Sequence, residues 1–192
     1  TFNDIIQAYK DNPHITEMML TGGSPTMHGA LVNEITHFAH ENNIFITIET
    51  EGSHFLPTDY PINLLSISPK FSNSVPVLGV KTPQGAVTDE KMIKTHNRLR
   101  CNWDAIKKSI DYHSDFHLKP VWDGEDQKAL KEIMDAISAL EISPDKVWFM
   151  PAGDTRESLQ ISYPKMFDWV RDNGYRLTWR PHIIAFQDKR EV

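Results

Sequence analysis

The chain alternates between two apolar patterns. Phe2, Ile5, Ile6 and Tyr9 recur at helical spacing. This predicts an amphipathic helix over about 2–11, capped by Asn3 or Thr1. The run Ile15-Thr16-Glu17-Met18-Met19-Leu20 predicts a strand over about 16–21, and Leu31, Ile35, Phe38 and Ala39 predict a helix over about 27–42. Residues 44–48 and 62–67 read as strands. Residues 71–88 are rich in Ser, Pro, Gly and Val and read as a long loop. A helix follows over about 89–112, with a break near Asn97, then a strand over 116–122 and a helix over about 125–140. A strand over 147–150, a helix over 155–173 and a strand over 175–179 complete the pattern, the last running into Arg180-Pro181-His182.

Strands and helices in alternation build a mostly parallel sheet with right-handed crossovers. Six strands are too few for a closed eight-stranded barrel. The pattern fits an open, partial barrel or a doubly wound sheet. No internal repeat or linker interrupts it, so the 192 residues read as one domain. No apolar run approaches the roughly 20 residues that span a bilayer. No basic, apolar leader opens the chain, and one cysteine allows no intrachain disulfide. The expectation is a cytoplasmic protein. A formal net charge of -6 argues against broad binding to nucleic acid.

The chemistry gathers where strands end, which is where α/β sheets and barrels build their sites. Thr21-Gly22-Gly23-Ser24-Pro25 closes the first strand. Paired glycines permit positive φ and close approach of backbone to a ligand. Such a turn also serves as a plain strand-to-helix connection, with Ser24 or Thr26 as the helix cap. Glu49 and Glu51 close the second strand, ahead of Gly52 and Ser53, and a period of two puts both carboxylates on one face. They can accept from ribose hydroxyls or from the guanidine-like edge of a purine or pterin, or simply be solvated. Ser68-Pro69-Lys70 closes the third strand, and Lys70 offers a partner for a carboxylate. Arg180 and His182 share a face of the last strand by spacing, and an Arg there suits a ligand carboxylate. His37 and His40 share a helix face, but with no third ligand evident they read as solvent-facing rather than as part of a zinc site. Cys101, in an Arg-rich helical stretch, reads as structural.

In their order and spacing these strand-end motifs resemble the S-adenosylmethionine-binding motifs of the radical SAM superfamily. Ser68-Pro69-Lys70-Phe71-Ser72-Asn73-Ser74 is more particular and resembles the 7-carboxy-7-deazaguanine synthase family. So do His117-Leu118-Lys119-Pro120-Val121, Met150-Pro151-Ala152-Gly153, the Arg176 to His182 segment and the tail Asp188-Lys189-Arg190-Glu191-Val192. Two departures stand out: Pro181 where an aliphatic residue is usual, and Glu191 where Gly is usual. A third is Ser24, which replaces a frequent acidic residue.

The resemblance implies an α/β fold, an open, partial (β/α)6 TIM-type barrel lacking its N-terminal strand and cluster loop. It implies S-adenosylmethionine bound by Gly22, Gly23, Ser24, Pro25, Glu49, Ser68, Lys70 and Met150. It implies a 6-carboxy-5,6,7,8-tetrahydropterin substrate held by Glu51, Arg180, His182 and Val192. That substrate would be converted to 7-carboxy-7-deazaguanine with loss of ammonia, and no residue of this chain is assigned as catalytic. The family also uses a [4Fe–4S] cluster, Mg²⁺ and a flavodoxin or ferredoxin-type reductant, and leaves room for a homodimer. No Cys-x-x-x-Cys-x-x-Cys loop or variant of it stands in this sequence, and no metal ligand can be assigned. Thr1, not Met, opens the chain within a helical pattern, which reads as a cut, and without the cluster thiolates the chain alone is expected to be inactive. The other readings are a natural cluster-less binding protein and a radical SAM activating enzyme of different specificity.

Overall fold

Periodicity of the two kinds yields two parallel sheets, described for residues 2–82 and 85–187 in a computed structural model. The residues divide into two compact units, one reaching Ser68 and adding Cys101–His117, the other made of Pro69–Arg100 and the residues from Leu118 onward.

The first unit opens with α1 (Phe2–Asp11), β1 (Glu17–Leu20), α2 (Gly29–Glu41), β2 (Phe45–Thr50) and β3 (Leu64–Ile67). α4 (Trp103–Tyr112) and the start of β4 (Phe116–Leu118) complete it. The sheet order is β1-β2-β3-β4. β1 and β2 run parallel with Leu20 opposite Ile48, and β2 and β3 run parallel with Glu49 opposite Ser66. Parallel strands end at the same edge, so Thr21, Glu51 and Ser68 emerge together. Ile46, Ile48, Leu65 and Ile67 are buried in the sheet. α2 buries Val32, Ile35, Thr36 and Ala39, a regular i, i+3, i+4, i+7 stripe. Leu31, expected on that stripe, is 42% exposed. Asn3 lies within the first turn of α1 and does not cap it.

The second unit carries α3 (Glu90–Leu99), β5 (Val121–Trp122), α5 (Gln127–Ala139), β6 (Trp148–Pro151), α6 (Arg156–Asp172), β7 (Arg176–Leu177) and α7 (Pro181–Phe186). Its sheet order is β5-β6-β7, all parallel. Trp122, Phe149, Trp169 and Tyr175 form an aromatic core, with Trp169 and Tyr175 stacked at 5.9 Å. Aromatic pairs in such geometry add to their area burial. The expected α/β class is borne out: mostly parallel strands of an open, partial barrel, divided between two sheets.

Three boundaries differ from the expected ones, each for a local reason. The break expected near Asn97 in the helix over 89–112 falls a few residues later, between Leu99 and Trp103. Arg100 is extended and Cys101 sits at φ 56, so the chain leaves the helix there and Asn102 caps α4 anew by accepting from Ala105 N–H. Cys101 therefore lies in a break and not in a helix. The strand expected over 116–122 is split at Lys119-Pro120, since Pro120 has no N–H for a ladder, although its carbonyl accepts from Met150 N–H. The last strand stops at Leu177, and Pro181 starts α7. Proline at a first helical position is preorganised for the helix and lacks only a donor that would be unpaired anyway.

Candidate functional site

Gly22 and Gly23 follow β1 at φ 83 and 58, in the left-handed region. A Cβ built on either meets nothing within 4 Å, so the turn faces open space. Two glycines here leave backbone groups accessible to a ligand without steric cost. Ser24 precedes the short helical turn Pro25–Met27, and Pro25 is buried within it. The Ser24 hydroxyl does not cap that turn. It donates instead to Glu51 Oε1 at 2.8 Å. Thr21 Oγ1, one residue before the glycines, donates to Glu49 Oε2 at 2.9 Å. Both carboxylates are thus drawn to the glycine turn, each by a hydroxyl from that turn.

Glu51 has further partners. The Ser53 hydroxyl donates to the same oxygen, Oε1. His54 Nδ1 lies 2.8 Å from Ser53 Oγ, and since Ser53 has spent its one hydrogen on Glu51, the imidazole N–H is the donor there. Partial burial pushes the Glu51 carboxyl up. The hydrogen bonds from Ser53, from its own N–H and from Ser24, with the His54 charge, outweigh that and hold it below the usual carboxylate range. Glu51 is therefore an anionic acceptor near neutral pH. Ser68 follows β3 at the same edge, its N–H bonded to Thr50 carbonyl at 2.7 Å.

The first unit thus brings Gly22, Gly23, Ser24, Pro25, Glu49 and Glu51 together, with Ser68 at the same sheet edge. Lys70, Met150, Arg180 and His182 belong to the second unit. Lys70 is exposed. Met150 lies in β6 opposite Val121. Arg180 and His182 do not share a strand face as expected. Arg180 is the N-cap residue of α7, and His182 is exposed on that helix. Arg180 Nη1 donates to Gly153 carbonyl, while its Nε is buried with no hydrogen-bond partner among the described residues. Burial lowers the Arg180 pKa, against the raising effect of Asp154. Arg180, Trp179, Tyr163, Leu159 and Ile184 line a cavity of about 380 Å³. Val192 lies outside the described residues.

Sequence reasoning missed Thr21, Ser53 and His54. Ser53 and His54 follow Glu51 directly, but nothing in residue type alone says that a hydroxyl will turn back to a neighbour. His37, expected to face solvent, holds Asp59 Oδ2 at 2.6 Å, and His40 stacks on Tyr60 at 3.8 Å. The pair pins the 58–61 loop to α2.

The residues present fit one of the implied groups. The open glycine turn with two carboxylates suits the ammonium and hydroxyl groups of S-adenosylmethionine. A cubane held by three protein thiolates does not fit a sequence with one cysteine. Among the described residues no group of three or more His, Cys, Asp or Glu side chains could hold a metal ion.

No family model matches the chain. It is 28% identical over 194 residues to the 7-carboxy-7-deazaguanine synthase of Halobacterium salinarum, covering 99% of this chain and 72% of the relative. It is 28% identical over 190 residues to that of Rhodopirellula baltica, covering 68% of the relative. In structure it is similar to Streptococcus suis SuiB, with a TM-score of 0.55 at 13% identity over 93% of this chain. SuiB bound to S-adenosylmethionine gives 0.52 at 14% identity over 91% of this chain. The chain spans only 42% and 39% of those two SuiB chains. No helix among the described residues is long and apolar enough to cross a membrane. The chain is therefore similar in fold to SuiB and in sequence to 7-carboxy-7-deazaguanine synthases, on a sequence with a single cysteine.

Proposed function

We propose that the 192 residues act as one domain that binds S-adenosylmethionine and a carboxylated tetrahydropterin, as part of a 7-carboxy-7-deazaguanine synthase. The observation that carries this reading is the likeness to two such synthases along 99% of the chain. The carboxylates gathered at the Gly22-Gly23 turn support it.

In this reading the backbone at Gly22 and Gly23, with Ser24 and Pro25, receives the amino group of S-adenosylmethionine. Glu49 takes the ribose hydroxyls, Ser68 and Lys70 the polar groups beside them, and Met150 packs near the adenine. Bound S-adenosylmethionine supplies the source of the hydrogen-abstracting radical. Glu51 accepts N–H groups of the pterin, Arg180 pairs with its carboxylate, and His182 donates to it, with the terminal carboxylate of Val192 as a further contact. Orientation of the pterin is the contribution of these side chains, and the cofactor carries the hard chemistry. No cluster step can be assigned to these residues. In an intact enzyme of this kind a cluster-bearing segment would supply the thiolates and a Mg²⁺ ligand, and a flavodoxin or ferredoxin-type protein would be the reductant. A homodimer in the cytoplasm is part of the same reading.

The single cysteine favours a second reading, a cluster-less protein that binds these ligands without turnover. Calorimetric titration of the chain with S-adenosylmethionine and with 6-carboxypterin tests both. Binding of both ligands supports the two readings alike, and binding of neither overturns both. The full reading frame then separates them: a three-cysteine motif ahead of Thr1 selects the synthase.

A further inference from the structure

We infer that Ser53 is the positioning residue that fixes Glu51, leaving Oε2 as the carboxylate oxygen that meets the ligand. The inference deepens the pterin reading above and rests on it for the ligand.

Two hydroxyls converge on Glu51 Oε1, those of Ser24 and Ser53. A carboxylate oxygen has two lone-pair sites, so Oε1 is filled and Oε2 has no hydroxyl partner among the described residues. A ligand meets Glu51 through one oxygen unless a hydroxyl gives way.

The two hydroxyls are not equivalent. Ser24 stands beside an open turn, with Thr26 Oγ1 at 3.2 Å as a second partner for its oxygen. It can rotate between them. Ser53 is held by its surroundings and is only 5% exposed. Its carbonyl accepts from Asn102 Nδ2 at 2.9 Å, and Asn102 in turn caps α4. The preceding Gly52 sits at φ 76, its N–H bonded to Thr50 Oγ1 at 3.1 Å. A Cβ on Gly52 would stand 2.7 Å from Ile106 Cγ1, so the loop lies directly on α4. The loop is thus tied to α4 at residues 52 and 53, and the backbone delivers the Ser53 hydroxyl to a fixed point. His54 Nδ1–H fills the hydroxyl's acceptor side, which keeps its hydrogen aimed at Glu51. A site positioned this way loses little rotamer entropy on binding.

The test uses the chain with Ser53→Ala, Ser53→Thr, Glu51→Gln and the Ser53→Ala/Glu51→Gln double variant. One readout is the carboxyl titration of Glu51 by carbon NMR, and the other is affinity for 6-carboxypterin by its fluorescence. Ser53→Ala is expected to raise the Glu51 midpoint and weaken binding about tenfold, as for loss of a hydrogen bond to a charged group. Ser53→Thr, which keeps the hydroxyl, is expected to restore both. In the Glu51→Gln background Ser53→Ala is expected to have a much smaller effect, because the two residues act as a unit. An unmoved Glu51 titration in Ser53→Ala overturns the inference, and so does an equal effect of Ser53→Ala with and without Glu51. If the titration moves but no variant, nor the parent chain, binds 6-carboxypterin, the positioning role stands and the pterin reading fails.

Discussion

His113 Nδ1 accepts the backbone N–H of Ile62 at 3.1 Å, joining positions 51 residues apart. The imidazole is 8% exposed, and burial pushes it down to about 4 from its ordinary 6.5. Only the neutral ring can accept this bond, so the folded chain refuses a proton that the unfolded chain takes. The contribution is complete above about pH 6.5 and is lost as the pH falls toward about 4. The gap is worth at most about 3 kcal/mol. Urea unfolding of the parent chain and of His113→Asn, compared at about pH 7.5 and about pH 4.5, measures it. The parent is expected to lose roughly 2–3 kcal/mol more than the variant, whose amide still offers an acceptor but does not titrate. Equal losses would remove His113 from the account of acid stability.

Gly52 and Gly22 both sit at positive φ, 76 and 83, but in different surroundings. An added methyl at Gly52 meets Ile106 and Ile67, while one at Gly22 meets nothing within 4 Å. Gly22→Ala is expected to cost roughly 1 kcal/mol of stability, from backbone strain alone. Gly52→Ala adds a core clash and is expected to cost about 2–4 kcal/mol. Chemical denaturation ranks them, and a Gly22 variant less stable than the Gly52 variant contradicts the packing described for this loop.

Much of this was legible from residue spacing. The period of two at Glu49 and Glu51 placed both carboxylates on one side, and the glycine pair marked the turn they approach. What spacing could not give was the second hydrogen bond of each group. Thr21 reaches Glu49 across 28 positions, and Asn102 reaches Ser53 across 49. Such bonds depend on strand register and helix docking, which are tertiary facts. Arg180 and His182 show the opposite failure. An alternating pattern suggested a strand, but the fixed φ of Pro181 starts a helix, so a period of two no longer defines their face. The break expected near Asn97 falls instead at Arg100-Cys101, since a left-handed residue just past a helix marks its end without changing its composition.

The chain itself is expected to build no cubane cluster and to make no 5′-deoxyadenosine. Its single cysteine supplies one thiolate where such a cluster takes several. Anaerobic reconstitution with iron and sulfide, read by visible absorption and by product assay, checks this. A cubane spectrum with turnover from these 192 residues would overturn the expectation.

Arg180 provides the sharpest separation of binding from stability. In the folded chain its guanidinium donates to Gly153 carbonyl, and its Nε is buried without a hydrogen-bond partner among the described residues. A buried donor left unpaired costs free energy, so removing the side chain forfeits one hydrogen bond but also relieves that penalty. Arg180→Ala should therefore change folding stability by no more than about 1 kcal/mol. Binding behaves differently if the guanidinium pairs with the pterin carboxylate. Truncating one partner of a buried charged pair costs roughly 2–5 kcal/mol, so affinity for 6-carboxypterin should fall at least tenfold. Arg180→Lys keeps the charge but not the planar fork, and should recover only part of the loss. Fluorescence titration beside thermal unfolding of the three proteins makes the comparison. Affinity unchanged in Arg180→Ala, with the fold intact, would take Arg180 out of the pterin site and leave its buried Nε as a feature of the α7 start alone.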